Sequence, residues 1–458
     1  MAKREATFQF LRTTQLQFGK ALRKHTPRSA QARWRVHKGG RNLLTMLARS
    51  DVGRIPELVP LRYARMVESP FAFLRGSAAI MAFDLGQEAS TGLRVQACGD
   101  CHLMNFGAFA TPERNVIFDI NDFDDTLPAP WEWDIKRLAA SIMVAGRYRG
   151  FTDRQSSDAV LAAVRAYREK LAEYAQWPAL QVWYAHIDAA PVIAIASSVK
   201  PTPTDDIPTE GRATTSSARL LPRLTDVVDG RRRIKDEPPL VFHPSRERAF
   251  FRMFRNAILR YRQSLPAERR TLFNRYQVID VAMKVVGVGS VGTVCAVALL
   301  QADVDDYLFL QIKQARRSVL EPYAGRSAYR DQGERVVVGQ RMAQSASDMF
   351  LGWSKIGKPP LDLYFRQLRD MKITVNLDAL QIDGFIDYVH YCGWGVARAH
   401  AKTGDASAIT GYLGRSDVFD RSLARFACLY ADQTEKDYSI LLKAIKSGRI
   451  AATPMGST

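Results

Sequence analysis

The stretch from Leu93 to Ala140 limits what the chain can fold into more than any other part of the sequence. It alternates short apolar runs, at residues 93–95 and 116–118, with polar loops, which predicts short buried strands that end in loops. The loops carry Asp100, His102, Asn105, Asp119, Asp122, Asp124 and Asp125. Because carboxylates brought together are costly without a positive charge among them, we expect a hard divalent cation and phosphate groups here.

Two other interpretations of this stretch stay open at this point. Asp and Asn residues in paired turns often only cap helices. In addition, Cys98-Gly-Asp-Cys101-His102 matches the C-x-x-C-H pattern of covalent haem attachment, and C-x-x-C alone occurs in redox pairs. Haem attachment of this kind goes with export, for which the N-terminus shows no signal. We therefore favour the metal and phosphate interpretation.

The order of residues in this stretch also resembles a known enzyme class. Gly-Asp-x-His-x-x-Asn, then a strand, then Asp-Phe-Asp resembles the catalytic and metal loops of kinase-like phosphotransferases, especially the aminoglycoside and choline kinase branch. The resemblance implies that Asp100 accepts the proton of an acceptor hydroxyl, with His102 in the same catalytic loop. It also implies that Asp134 braces this loop from the next helix. Cys98 departs from the pattern, since that branch has His there.

The same resemblance implies a Mg²⁺ site beside the catalytic loop. Asn105 and Asp122 would hold the ion. Asp124 is a further candidate ligand, because the strand end carries more acid than the pattern needs. The sequence leaves open which of these carboxylates bind the metal.

A second informative region begins at Val278 and contains a G-x-G-x-x-G motif. Two mechanisms share this motif: a dinucleotide-binding unit, in which the third glycine opens a helix, and the kinase flap, a strand-turn-strand over the phosphates. β-Branched residues at 293, 294 and 297 favour a strand, so we predict the flap. A glycine-rich hairpin without a ligand is the remaining alternative. The predicted phosphate-binding residues are Gly287, Gly289, Ser290 and Gly292.

The chain after these glycines continues through an Asp-rich turn into the strand YLFLQIK, which completes a three-stranded meander ending at Lys313. The resemblance implies that Lys313 binds the ATP phosphates and pairs with a glutamate of the following helix. Glu334 and Glu321 are both candidates for that partner. A later strand at 361–368 leads to residues 369–371, where a kinase has its hinge to the adenine.

These parts occur in a different order from that of ordinary kinases, whose flap and lysine precede the catalytic loop. Neighbouring chain ends can be joined and a surface loop opened without changing a packed core, so we predict a circular permutation. The predicted fold is α+β and bilobal, protein-kinase-like, with a mostly helical larger lobe and a small antiparallel-sheet lobe. The predicted divisions are an N-terminal helical region (1–92), catalytic and metal loops with helices (93–190), a linker and hairpin (191–245), a small nucleotide-binding lobe (246–372) and C-terminal helices (373–458).

The region before the acidic stretch carries two local predictions. Ser69-Pro70 predicts the start of a buried helix within residues 54–86 that ends at Gly86. A nearby basic cluster either holds phosphate or pairs with the acidic loops, and we favour pairing. The cluster consists of Arg62, Arg65 and Arg75.

Two later features also carry predictions. Asp229-Gly230, between two strand-like runs, predicts a hairpin. His400 lies in a helix that resembles the one leading into a kinase catalytic loop. Because the catalytic-type loop here lies far upstream, we predict a packed or capping histidine and not a catalytic one.

Composition limits the class of partner. With 458 residues, 47% of them hydrophobic and 24% charged, the chain has the composition of a globular protein. The formal net charge of +18 favours anionic partners such as nucleotides, nucleic acid or acidic surfaces. Five cysteines, an odd number, argue against a disulfide framework. With no secretory signal and no convincing membrane span, we predict a cytoplasmic enzyme.

Most of the chain is similar to a bacterial family catalogued as domain-of-unknown-function family 2252. The segments that carry this similarity are SPFAFLRG, CGDCHLMNFG, FDINDFDDTLPAPWEWDIKRLAAS, SVLEPYAG and CGWGVARAHAKTGD. The family implies no activity, so the functional hypothesis comes from the site: an ATP- and Mg²⁺-dependent phosphotransferase acting on a hydroxyl acceptor of unknown identity. Phosphoryl and adenylyl transfer both stay open. The alternative is a non-catalytic nucleotide- or nucleic-acid-binding protein that uses the basic surface, with nucleic acid less favoured.

Overall fold

The structure is a computed structural model that describes residues 12–36, 41–198, 216–285, 287–368 and 373–453. Helices make up most of both ends of the chain. They are α1 (Arg12–Leu22), α2 (Leu43–Asp51), α3 (Val59–Met66), α4 (Pro70–Gly76), α5 (Ala78–Gly86), α6 (Trp131–Tyr148), α7 (Asp153–Tyr174), α8 (Ala179–Tyr184), α9 (Ala190–Ser197), α10 (Ser216–Leu224), α11 (Glu247–Tyr261), α12 (Ala267–Phe273), α13 (Glu321–Ala324), α14 (Gln332–Ala343), α15 (Ile382–Thr403), α16 (Ala406–Leu413) and α17 (Val418–Lys446). Across these ranges, no helix is both long and apolar enough to cross a bilayer.

The strands form small antiparallel sheets and one larger one. They are β1 (Arg94–Ala97), β2 (Phe106–Ala110), β3 (Val116–Ile120), β4 (Leu127–Pro130), β5 (Ile187–Asp188), β6 (Thr225–Val228), β7 (Arg231–Ile234), β8 (Val241–Phe242), β9 (Gln277–Lys284), β10 (Cys295–Asp303), β11 (Asp306–Gln314), β12 (Gly352–Ile356) and β13 (Leu361–Gln367). The six-stranded sheet has the order β12-β13-β11-β10-β9-β8. β1 pairs with β4, and β2, β3 and β5 form a third sheet.

The six-stranded sheet is built on the predicted meander. β9, β10 and β11 are consecutive antiparallel strands rich in Val, Leu and Ile, which suit a pleated surface buried on one or both faces. One face packs on α11, whose Phe254, Ile258 and Tyr261 are fully buried. α14 packs against β12 and β13 through Val336 and Val337.

The larger helical core surrounds the acidic stretch. α7 and α15 lie side by side, and α6 packs on both α7 and α17. α7 begins at a capping box in which the Thr152 and Gln155 side chains bond each other's backbone N–H groups. At the centre Trp131 stacks on Tyr167 with ring centroids 5.8 Å apart. The short sheets that carry the acidic loops therefore rest on a rigid helical base.

The N-terminal region packs on both parts. α1 lies against α16, while α3 and α4 contact the turn between β9 and β10. The predicted helix start at Ser69-Pro70 is confirmed, since the Ser69 hydroxyl caps α4 by accepting from the N–H of Ala72. The single predicted helix is wrong: α3, α4 and α5 occupy this stretch, with breaks at 67–69 and at Ser77, and α5 ends at Gly86.

The α+β class is confirmed, and the paired strands of the described residues are antiparallel. The hairpin at Asp229-Gly230 is also confirmed, and both residues have positive φ. β9 and β10 flank the glycine motif as antiparallel strands, so the dinucleotide-binding alternative is wrong. Within the predicted linker, α9 reaches Ser197, and residues 199–215 lie outside the described residues, as does the predicted hinge at 369–371. The domain divisions stay predictions.

Candidate functional site

One cleft contains residues from both informative regions of the sequence. Its volume is about 490 Å³, and it lies between the acidic loops, the glycine motif and β11. The predicted site residues that line it are Asp100, His102, Asn105, Asp122, Asp124, Gly287, Gly289, Ser290 and Lys313. Two segments almost two hundred residues apart thus face the same space.

The loop that carries Asp100 is held by a carboxylate beneath it. The two Asp134 oxygens accept hydrogen bonds from the N–H groups of Cys98, at 2.6 Å, and Gly99, at 3.0 Å. His400 lies behind this carboxylate, with its Nε2 3.3 Å from Asp134 and its Nδ1 2.9 Å from the hydroxyl of Tyr167. Asp134 therefore has the predicted bracing geometry, and His400 is a packed residue, as predicted.

Asp100 faces the cleft beside a cation. Its carboxylate accepts from Arg137, at 2.7 Å from Nη2, while the side chain of Asn105 donates to the Asp100 carbonyl at 2.6 Å. Burial raises the pKa of Asp100, and the charge of Arg137 offsets this only in part. A carboxylate with a raised pKa, fixed in position, is suited to accepting a proton.

His102 supports the loop from inside. Its Nδ1 accepts from the N–H of Met104 at 3.2 Å, and its Nε2 lies 3.8 Å from Asp100. Burial and the charges of Arg75 and Arg137 lower the pKa of His102 well below its ordinary value, so the ring is neutral. These contacts make His102 a positioning residue for the loop.

Lys313 joins the sheet to the acidic loops. Its Nζ lies 3.2 Å from Asp122 and 2.7 Å from Asp124, and the Tyr364 hydroxyl donates to Asp124. Burial works against its charge, but the two carboxylates raise the pKa of Lys313 well above its ordinary value. Burial and the negative charge of Asp122 raise the pKa of Asp124 to about 6, whereas the charges of Lys313 and Arg366 lower the pKa of Asp122 against the effect of burial.

These donors fit a magnesium ion bound together with phosphate. Asn105, Asp122 and Asp124 line one cleft and carry the oxygen atoms that Mg²⁺ prefers as ligands. In the described part of the chain no three His, Cys, Asp or Glu side chains form a metal-binding group. Mg²⁺ typically needs only one or two carboxylates when substrate phosphates complete its coordination.

The predicted lysine–glutamate pair is wrong. Neither Glu321 nor Glu334 bonds to Lys313, whose ion pairs are with the aspartates. The residue after Glu334 contacts the acidic loop instead: Arg335 donates to the carbonyls of Thr126 at 2.6 Å, Asp124 at 2.8 Å and Arg316 at 2.7 Å. α14 therefore supports the metal loop through an arginine bound to backbone and not through a carboxylate on the lysine.

The glycine motif is a tight turn, with a 3₁₀ segment at Val288–Ser290 between β9 and β10. This matches the predicted strand-turn-strand. The turn is held from outside: Arg54 donates to the carbonyls of Gly289, at 3.0 Å, and Val291, at 2.5 Å. Gly292 has φ +86°, a left-handed conformation that glycine adopts without strain, and it lies outside the cleft lining.

Comparison with known proteins assigns the chain to a family. The model of the family described as "Uncharacterized protein conserved in bacteria (DUF2252)" matches residues 54–444. The chain belongs to the DUF2252 family. No curated protein and no solved structure shows significant similarity to the chain. The match covers the acidic loops, the glycine motif and the lysine strand together.

The two remaining aspartates of the acidic loops in this DUF2252 chain, Asp119 and Asp125, bind other parts of the protein and hold the loops in place. Asp119 is fully buried and bonded to Arg398 at 2.8 Å. Asp125 accepts from the N–H of Val319 at 2.9 Å and so ties the metal loop to the segment after β11. A hydrogen bond with Cys101, together with burial, raises the pKa of the Cys98 thiol, and burial raises the pKa of Cys101 to about 11, which argues against a reactive thiol pair.

The prediction that the basic cluster of the DUF2252 chain pairs with the acidic loops is wrong for Arg62 and Arg75. Arg62 bonds to Asp51 at 2.8 Å, on the N-terminal side of the cleft. Arg65 lines a second, neighbouring cavity. Arg75 lines the first cavity, and its nearest acid, Asp100, acts on it only through charge.

Sequence reasoning missed several residues of the site. Tyr364 and Arg366 alternate on β13 and face the same way as Lys313 and Gln311 on β11, but only the strand register reveals this. Arg137 lies one helical turn after Asp134 on α6, a spacing that places both toward the catalytic loop. That spacing was the one available signal.

Proposed function

We propose that this DUF2252 chain is an ATP- and Mg²⁺-dependent phosphotransferase with a bilobal, circularly permuted kinase-like fold. The observation that carries the proposal is the shared cleft, in which Asp100, Asp122 and Asp124 face the glycine motif and Lys313. A glycine turn, a lysine on the third strand of a meander and a following helix are the parts that kinases use for ATP phosphates.

The proposed reaction uses the chain's own groups for positioning and proton transfer. Asp100 accepts the acceptor's hydroxyl proton as that oxygen bonds to the γ-phosphorus. The bond from the γ-phosphorus to the β–γ bridging oxygen breaks, and ADP leaves with the electron pair. Lys313 and the N–H groups of the glycine turn hold the phosphates. Mg²⁺, held by Asn105, Asp122 and Asp124, would neutralise charge on the phosphate oxygens when bound.

The second cavity supports a place for the nucleoside base. It also has a volume of about 490 Å³, and it shares Gly287, Gln311 and Arg366 with the first. Its walls include Val285, Met349 and Leu368, which are apolar, together with several glutamine side chains that can hydrogen-bond a ring. A nucleotide placed with its base here would reach Lys313 with its phosphates.

The charge of the cleft limits the acceptor. Eight Lys and Arg side chains but only four carboxylates line its described part. A cationic acceptor would meet repulsion, whereas a neutral or anionic hydroxyl compound would not. The acceptors implied by the aminoglycoside and choline kinase resemblance are cations, so we infer that this chain uses another class.

A thermal-shift titration with ATP and Mg²⁺, alone and together, tests the proposal. Stabilisation should need both ligands and reach about 2.7 kcal/mol at a hundredfold excess over Kd. Lys313→Ala should abolish it, whereas Asp100→Asn should retain it and lose only turnover, followed as ADP release with neutral and anionic hydroxyl compounds. No stabilisation at millimolar MgATP would overturn the proposal. Steeply salt-dependent DNA binding that is unaffected by either change would favour the nucleic-acid alternative.

A further inference from the structure

Arg75 has an unusual position at the cleft. It lies in the last turn of α4, and its guanidinium lines the cavity beside the glycine turn. A Cβ built on Gly287 would lie 3.8 Å from Arg75 Nη2. Arg75 Nε is buried and has no hydrogen-bond partner among the described residues, and the guanidinium lies 6.0 Å from the Phe71 ring centroid.

The neighbouring arginines Arg137 and Arg62 each have a carboxylate partner, but among the described residues Arg75 has none. Arg137 is bonded to Asp100, and Arg62 to Asp51. Burial lowers the pKa of Arg75, and the more distant charges of Asp100 and Glu68 offset this only in part. No carboxylate in the described ranges comes within ion-pair distance of it. A partly buried cation without an anionic partner is costly, and an anionic ligand would remove that cost.

The end of α4 that carries Arg75 is held in place relative to Asp100, the proposed proton acceptor. Arg137 bonds both the Asp100 carboxylate and, at 2.7 Å, the carbonyl of Leu74. Arg62 holds the carbonyl of Gly76 at 2.9 Å. The backbone on both sides of Arg75 is therefore anchored, one side directly to the arginine that pairs with Asp100.

We propose that Arg75 binds the terminal phosphate of the nucleotide, between Asp100 and the glycine turn where the phosphoryl group is transferred. This inference rests on the proposed function. A guanidinium donates two parallel hydrogen bonds to a phosphate and keeps its charge when buried, so it suits this place better than a lysine. The N-terminal region, which precedes the catalytic loop, would thus supply a cation to the transferred group, as an arginine finger does in other phosphotransferases.

The test compares a diphosphate with a triphosphate, so it needs no acceptor. Isothermal titration calorimetry measures the Kd of MgADP and of the Mg²⁺ complex of the non-hydrolysable ATP analogue with an imido β–γ bridge. Arg75→Gln should weaken the triphosphate analogue by about 10-fold to 100-fold, the loss typical of a charged hydrogen bond, and change MgADP by less than about threefold. Arg75→Lys keeps the positive charge but lacks the two parallel donors of a guanidinium. It should weaken binding of the triphosphate analogue by less than Arg75→Gln does. Arg425→Gln, an exposed arginine on α17, is the control for lost charge.

Each outcome decides between the two proposals. If wild-type protein binds neither nucleotide, the proposed function fails and Arg75 loses its assigned ligand. If wild type binds both and Arg75→Gln weakens both equally, or neither, the phosphotransferase proposal stands and the role of Arg75 is wrong. Should Arg75→Gln fail to fold, as judged from its thermal midpoint, the same ratio measured in Arg75→Lys decides, because a loss of less than about twofold would contradict bidentate binding.

Discussion

The acidic loops and the glycine turn are held in opposite ways. The acidic loops are fixed from within the helical core: Asp134 binds two loop N–H groups, and Asp119 is buried on Arg398. The glycine turn is fixed from outside by Arg54, which belongs to the N-terminal region. The acidic loops, on the proposed catalytic side of the cleft, are therefore held by the helical core. The glycine turn, on the proposed phosphate side, depends on a residue outside the sheet.

The largest expected effect comes from the ion pairs that join Lys313 of β11 to the acidic loops. Lys313→Met leaves the half-buried carboxylates of Asp122 and Asp124 without their ion-pair partner, so the free energy of unfolding should fall by about 3 kcal/mol, the lower end of the cost of breaking a buried pair. Urea denaturation measures this, with Lys436→Met, at an exposed lysine of α17, as control. Mg²⁺ should restore part of the loss. A loss below about 1 kcal/mol would show that the carboxylates do not depend on the lysine.

The next effect tests the internal support of the acidic loops. Asp134→Asn places an amide NH₂ against one of two backbone donors, so the free energy of unfolding should fall by about 2–3 kcal/mol. Asp158→Asn, at an exposed position on α7, should change it by less than about 0.5 kcal/mol. Equal behaviour of the two variants in chemical denaturation would mean that the loop does not need its brace.

A pH titration of stability tests the acidic loops through a different residue, His102. Burial lowers the pKa of His102, so the unfolded chain takes up a proton near pH 6.5 that the folded chain does not. The contribution of His102 to stability is therefore present above that pH and is lost as the pH falls. Between pH 7 and pH 5 wild type should lose about 2 kcal/mol more than His102→Asn. His25→Asn, at an exposed site, should follow wild type.

The smallest expected effect concerns the glycine turn. Gly292 and Gly53 have nearly the same φ, +86° and +80°, so alanine at either should lose about 1 kcal/mol of stability from backbone strain. Only at Gly292 would the new Cβ lie 3.2 Å from the Arg54 side chain. Gly292→Ala should therefore lose a further ~1 kcal/mol in thermal unfolding. Identical losses would show that Arg54 moves freely and does not hold the turn.

Local chemistry explains what was predictable from the sequence. The meander around the glycine motif follows from β-branched residues and glycines near each other in the chain. Asp134 was predictable because its loop and helix are close in sequence. These features depend on short-range patterns, which one sequence contains in full.

The missed features depend on long-range packing. Lys313 has a choice of carboxylates, and the register of β11 and β13 with the approach of the metal loop selects Asp122 and Asp124 over Glu334. Likewise, nothing near Arg54 or Arg75 in sequence indicates that the two side chains would lie beside a turn more than two hundred residues later. Which carboxylate or carbonyl a long cation reaches is a property of the assembled core.

Arg335 has a consequence for motion. One guanidinium bonds the carbonyls of Thr126 and Asp124, from the loops on the helical core, and the carbonyl of Arg316, from the end of the sheet. A side chain that bonds to the backbone of both the acidic loops and the segment after β11 resists a change in the distance between them. Together with the Lys313 ion pairs and the Asp125–Val319 hydrogen bond, Arg335 therefore resists separation of the sheet from the acidic loops on this side of the cleft.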